Sequence, residues 1–169
     1  MPDLAAVFDA HLKAEFQDLD VEETMATMTA ADPYVHHVPT ITGGNGAEGV
    51  REFYDHHFIG QWPDDTETSH VSRTVGQTQV VDELIMSFTH DRVLEVMLPG
   101  VEPTGRRITV AVVVVVGFED GKVHHEHIYW DQASVLVQAG LLDATGLPVT
   151  GSVQTDSLVD QTLPKNELF

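Results

Sequence analysis

Between Ile108 and Phe118 the chain reads I-T-V-A-V-V-V-V-V-G-F, a run with a single polar side chain. It is too short to span a bilayer, and its β-branched residues disfavour a helix. A strand places alternate side chains on opposite faces. From Val110 to Val116 both sets are apolar, which predicts a central strand covered on both sides. Whatever else this chain does, it must build a sheet around that strand.

The neighbouring sequence continues the sheet. Glu119-Asp120-Gly121 reads as a hairpin turn, leading into G-K-V-H-H-E-H-I-Y-W-D-Q-A-S-V-L-V-Q-A-G-L-L over 121–142. That stretch begins as a strand over Lys122 to Tyr129 and turns at Trp130-Asp131-Gln132 into a short apolar helix. On the strand, His125, His127, Tyr129 and Asp131 project one way, and His124, Glu126, Ile128 and Trp130 the other. Two imidazoles, a phenol and a carboxylate on one face are costly to bury without purpose. This row is expected to supply part of any reactive centre.

Upstream, Leu4, Val7, Phe8, Leu12, Phe16 and Leu19 share a helical face within 3–19. Asp20 is placed to cap a second helix, with Glu23 three positions on and Val21, Met25 and Met28 on its buried side. Asp32-Pro33 ends it. Tyr34 to Pro39 reads as a short strand, and Gly43-Gly44-Asn45-Gly46 as a turn, lacking the spacing and lysine of a phosphate loop. A third helix is expected from about Ala47 to Phe58, with Val50, Phe53, Tyr54 and His57 inward and His56 near the rim. Strands are predicted over Thr66–Thr78, Val80–His90, Arg92–Met97 and Arg107–Phe118. Beyond Leu142 the composition turns polar and rich in glycine and proline, with at most a brief helical turn around Asp156 to Asp160. The organisation expected is therefore one α+β domain over 1–142, and a tail over 143–169 packed on the domain or on a partner subunit.

Composition narrows the partners. The 169 residues include 27 acidic and 8 basic side chains, a formal net charge of −19. Phosphate backbones and anionic membranes are poor partners for such a surface. The acidity also suits a salty cytoplasm, where self-repulsion is screened. With no cysteine, disulfides, thiolate metal sites and a cysteine nucleophile are excluded. No basic segment followed by an apolar run opens the sequence, so a cytoplasmic protein is expected.

Two segments carry a family resemblance. Gly49-Val50-Arg51-Glu52-Phe53-Tyr54 is similar to the third-helix motif of the nuclear transport factor 2-like superfamily, including its ketosteroid isomerases. Gly121 through Asp131, followed by Leu136-Val137-Gln138-Ala139-Gly140-Leu141, resembles the last strand and closing helix of the SnoaL-like polyketide cyclase branch. The resemblance covers roughly Leu4 to Leu142. It implies a cone-shaped curved antiparallel sheet wrapped around N-terminal helices, a cavity for a small-molecule substrate, no metal or other cofactor, and a homodimer. It also implies that Asp131 matches the acid/base residue at the end of the final strand, and that His37 stands where ketosteroid isomerases carry their general-base aspartate.

These residues suit metal-free proton transfer beside a carbonyl, in a lyase, isomerase or cyclase reaction. A histidine titrates near neutrality, and an apolar cavity draws carboxylate and imidazole pKa values toward each other. His37 and Asp131 are the catalytic candidates, and Tyr54, His57, His90, His125, His127 and Tyr129 the substrate-binding ones. Asp131 is equally suited to capping the helix that begins at Gln132. Two other chemistries rank lower. His125-x-His127 could ligate a metal, completed by His37, His57, His90, Glu95 or Asp131. An epoxide-hydrolase arrangement at His90-Asp91-Arg92 has the wrong spacing. The nonenzymatic alternative is a ligand-binding or dimeric interaction module.

Overall fold

The computed structural model describes residues 2–168. Six strands form one open sheet in the order β2-β1-β6-β5-β4-β3. They are β1 Tyr34–His37, β2 Thr42–Asn45, β3 Glu67–Val75, β4 Gln79–Thr89, β5 Arg107–Glu119 and β6 Lys122–Trp130. All neighbours pair antiparallel except β1 and β6, which run parallel and align His37 with Ile128. The sheet is thus mixed rather than wholly antiparallel.

The apolar run lies in β5, between β4 and β6. Its Ile108, Val110, Val112, Val114 and Val116 are buried, while Thr109, Ala111, Val113 and Val115 are only half-buried. One face is therefore fully covered and the other partly, where the run predicts equal cover. Apolar burial of the inner face is the main source of stability, at about 1.5–3 kcal/mol for each large side chain such as Phe8, Val50 or Phe88.

Helices pack on that inner face. Asp3 caps α1 (Leu4–Lys13) by accepting from the amides of Ala5 and Ala6. The helix widens into a π-type turn over Ala14–Asp18 and stops at Leu19, whose backbone is left-handed. Asp20 caps α2 (Val21–Thr27) by accepting from Glu23 N at 2.9 Å, the capping geometry its position predicts.

The glycine cluster is a strand, not a turn. β2 pairs with β1 while its other side meets α3 (Gly46–Phe53). A Cβ on Gly43 would lie 1.9 Å from the Val35 carbonyl oxygen, and one on Gly44 would lie 2.2 Å from that of Gly49. Glycine is required here for close backbone approach.

Two further expectations change for physical reasons. After Phe53 the third helix runs on as a π-type turn over Tyr54–Phe58. Its wider pitch rotates the following positions, so Phe58 turns inward and His57, expected inward, is exposed and pairs with Glu95. Arg92–Met97 is no strand. Leu94, Val96, Met97 and Leu98 are all buried, and three consecutive side chains cannot share one face of a strand. A turn closed by Leu98 N to Leu94 O at 2.8 Å inserts them together. Thr40 and Thr42 hydroxyls donate to the Val96 carbonyl, and the Gln132 amide donates to that of Met97, tying this segment over the end of the sheet.

β6 leads into α4 (Gln132–Gln138), and the following segment carries α5 (Val153–Val159), longer than the brief turn expected there. Gln154 of α5 reaches back to Asp131 at 3.4 Å.

Candidate functional site

The α1 helix, the π-type turns that follow α1 and α3, the Val96 segment and the inner faces of β1, β4, β5 and β6 line a partly open cavity of about 60 Å³. Its walls are mostly apolar, with Phe58, Trp62, Met86, Met97, Ile128 and Trp130 among them. Four titratable side chains interrupt them: Glu15, His37, Tyr54 and Glu126. A larger groove of about 450 Å³ lies along the C-terminal segment. It is open, and none of the candidate residues lines it.

The strand alternation decides which β6 residues enter. Ile128 and Trp130 belong to the core, and Glu126 shares their face, so its carboxylate is carried inward and is 4% exposed. The helix spacing does the same for His11 and Glu15, one turn apart on the buried stripe of α1 and its π-type extension. These residues meet at the end of the cavity. His11 Nε2 lies 3.1 Å from Glu15 Oε1, 3.2 Å from the Tyr54 hydroxyl and 3.5 Å from Glu126 Oε2. The Tyr54 hydroxyl donates to Glu126 Oε2 at 3.1 Å.

Hydrogen-bond accounting fixes one proton. The Thr27 hydroxyl donates to the Thr24 carbonyl, so toward His11 it can only accept, and Nδ1 at 2.6 Å must be the donor. Nε2 faces only oxygens, and a proton there makes His11 an imidazolium. Burial opposes that charge, but Glu15 and Glu126 outweigh it and lift the pKa to about 10. The two carboxyls are then driven apart. Burial, together with the charge of Glu126, raises Glu15, while His11 only partly offsets this. Burial also works against Glu126, yet His11 and the Tyr54 hydrogen bond overcome it and hold Glu126 below its ordinary range. Tyr54 is raised, first by burial and then by both carboxylates, and stays a phenol. The cluster thus holds side by side one carboxyl that ionises less readily than usual and one that ionises more readily, the kind of split that separates an acid from a base.

His37 faces the same cavity. It is 4% exposed, packs against Phe53, Phe58 and Trp130, and its Nδ1 lies 3.3 Å from the Thr42 carbonyl. Burial lowers its pKa to about 4 despite Glu126, leaving a neutral imidazole.

Asp131, the other catalytic candidate, does not line the cavity. Its carboxylate accepts from Ser134 N at 3.2 Å and from Ser134 Oγ at 2.7 Å, and so caps α4. Burial opposes its ionisation, and the Ser134 bonds prevail and depress its pKa. We expect Asp131→Ala to cost about 1 kcal/mol in denaturant unfolding and to leave cavity chemistry intact. Because the folded pKa is depressed, the cap's contribution is present above the unfolded carboxylate pKa. It fades as pH falls through the folded value, and the variant should converge with the parent in acid.

The histidine row falls on the outer face. Gly117 leaves room for the His125 ring, which stacks on Tyr34 with centroids 4.9 Å apart and lies 4.8 Å from His127. Tyr129 on this face is 43% exposed. The partial metal pair expected of His125 and His127 therefore lies on the far side of the sheet from the cavity. His90 is buried beside the sheet, with Nδ1 near Thr104 Oγ1 at 3.2 Å and Thr104 N at 3.3 Å, and does not line the cavity. His57 lines a separate outer groove with Ile41, Phe53 and Glu95. Of the eight candidates, the structure brings His37 and Tyr54 together. It adds His11, Glu15 and Glu126, which the sequence reading passes over.

N-terminal helices packed on one face of an open mixed sheet, with a pocket lined by the last strand, define the nuclear transport factor 2-like class. The family model described as SnoaL-like polyketide cyclase matches residues 9–139, and the chain belongs to that family. Solved structures show the same fold. A SnoaL-like protein from Jannaschia sp. CCS1 superposes with a TM-score of 0.61 at 18% identity, over 82% of this chain and 94% of that one. An NTF2-like protein of unknown function from Burkholderia pseudomallei K96243 gives 0.62 at 16%, over 82% and 98%. TsrD from Streptomyces laurentii gives 0.61 at 21%, over 84% and 100%. No curated protein matches the sequence significantly. Among the described residues, no helix is long and apolar enough to cross a membrane.

Proposed function

We propose that this protein is a small-molecule enzyme that transfers a proton beside a carbonyl, with Glu126 as the base. The observation that carries the proposal is a pair of buried carboxyls driven apart in acidity at one end of an apolar pocket that also holds a neutral imidazole and a phenol. Glu126 takes the proton from the carbon next to the carbonyl, and the C–H electron pair moves onto the carbonyl oxygen. The acid of Glu15 and the Tyr54 hydroxyl stabilise that oxygen as an enolate or enol. The same proton returns to a different carbon in an isomerase, or follows a departing hydroxyl in a lyase. His37, neutral at the other wall, is the second proton carrier. Asp131 has no direct part in this scheme, because its carboxylate is spent on the α4 cap.

The test is deuterium incorporation next to the carbonyl in a panel of small ketones, aldehydes and lactones, followed by NMR in D₂O with EDTA. Exchange faster than in buffer for at least one compound is expected. No acceleration for any, with saturable binding of some, would favour a noncatalytic binding module instead.

We further propose that two copies pair through the outer sheet face, where Ile85, Val113, Val115 and Tyr129 are incompletely covered. Light scattering should give twice the 18.6 kDa chain mass, and a monomer across a range of salt concentrations would contradict it.

A further inference from the structure

The cluster at the end of the cavity has a spacing that suits more than shared protons. Three oxygens lie around His11 Nε2 at 3.1, 3.2 and 3.5 Å, and two of them, on Tyr54 and Glu126, are 3.1 Å from each other. One N–H aims well at one acceptor, so the other two are poorly served by it. Four of the six separations among these atoms thus fall between 3.1 and 3.5 Å, and four donors about 3.3 Å apart at the corners of a tetrahedron would each lie ~2.0 Å from its centre. That is the bond length of a zinc ion to imidazole nitrogen or carboxylate oxygen. Among the described residues, His11, Glu15 and Glu126 are the one group of three whose ligand atoms all fall within 4.8 Å of one another.

We propose that His11, Glu15 and Glu126 form a binding site for a divalent first-row cation such as Zn²⁺ or Mn²⁺, with the Tyr54 hydroxyl at its fourth corner. Two features beyond the spacing fit this. The Nδ1–H of His11 is committed to Thr27, which fixes the ring and turns Nε2 toward the centre, as the outer partners of ligating histidines do. Charge also balances. The metal-free cluster is neutral when two protons are shared among Nε2, Glu15 and Glu126. A divalent cation with two carboxylates and a neutral imidazole is neutral with neither, so the cation takes the place of protons. Glu15, Tyr54 and Glu126 line the cavity, so the cation would face it. The net charge of −19 raises the local cation concentration. This inference goes beyond the proton-transfer reading and does not depend on it. A bound cation occupies the Glu126 oxygen that would serve as base.

The experiment titrates EDTA-stripped, full-length protein with ZnCl₂ in buffers of different ionisation enthalpy, and with MnCl₂ followed by electron paramagnetic resonance. One saturable site whose occupation releases protons is expected. Glu15→Gln imitates the protonated acid and keeps the metal-free packing, and should weaken binding at least about tenfold. His11→Gln should abolish it. Equal affinity in Glu15→Gln, or only weak unsaturable binding to the acidic surface, would overturn the site. The exchange assay separates the two readings. Activity in EDTA that zinc suppresses supports both. Activity only in the loaded protein keeps the cation site and removes the metal-free mechanism. Activity in EDTA with no saturable cation binding does the reverse.

Discussion

Glu126→Gln is expected to lower exchange next to the substrate carbonyl by about 10²–10⁴, the usual worth of a positioned base. Glutamine keeps the volume and can still accept from the Tyr54 hydroxyl, so the wall of the cavity survives. It cannot take a proton. The substitution also undoes the division of labour in the cluster. With Glu126 neutral, the His11 imidazolium has one carboxyl left to pair with, and Glu15 ionises and ceases to be the acid. Both the base and the acid are lost from one change, which places the expectation at the upper part of that range. Initial rates, with circular dichroism to verify folding, provide the check. An unchanged rate would remove Glu126 from the chemistry.

The second large effect is on stability. His11→Leu fits the apolar stripe of α1 beside Phe8, yet it strips the counter-charge from Glu15 and Glu126, which are 4% exposed each. Removing one partner of a buried ionic cluster costs about 3–5 kcal/mol near neutral pH. The pH range over which stability is lost should move toward acid, with the same sign. In the parent, His11 has a folded pKa raised to about 10 from an ordinary 6.5. Its contribution is therefore complete below about 6.5 and is lost as pH rises toward 10. In the variant, both carboxyls are buried without a cation, so their folded pKa values lie above the unfolded ones. Stability is then greatest in mild acid, where both are protonated, and falls as pH rises through the neutral range. Urea unfolding in EDTA across pH 5 to 9 distinguishes the two curves. A variant as stable as the parent at neutral pH would mean that the imidazolium does not hold the cluster together.

The sheet was legible because its signals are local. The β-branched run of β5, the Asp120-Gly121 turn and the Asp20 cap each act within a few residues. Segments set by contact with distant parts of the chain were not. Gly43 and Gly44 form a strand because the backbones of Val35 and Gly49 press on them from two sides. Val96–Leu98 turns because three neighbouring apolar residues must enter one core. His57 is displaced by a widening of the helix that periodicity does not encode. The site turned on a choice between two faces of β6. The polar row of His125, His127 and Tyr129 is the more conspicuous pattern, but Ile128 and Trp130 mark the other face as the one turned to the core, and Glu126 goes with them. A lone carboxylate on an apolar face was the available signal. The same signal stood on the first helix, where His11 and Glu15 interrupt the stripe begun by Leu4 and Phe8. Their meeting with Glu126 spans more than a hundred residues, and only the fold could reveal it.

The most direct measurement is heteronuclear NMR of the metal-free protein near neutral pH, reading the imidazole nitrogens of His11 and the carboxyl carbons of Glu15 and Glu126. The account predicts protons on both nitrogens of His11 and, on titration, a Glu15 carboxyl that takes up its proton at higher pH than Glu126. A neutral His11, or a Glu15 that titrates no higher than Glu126, would contradict it.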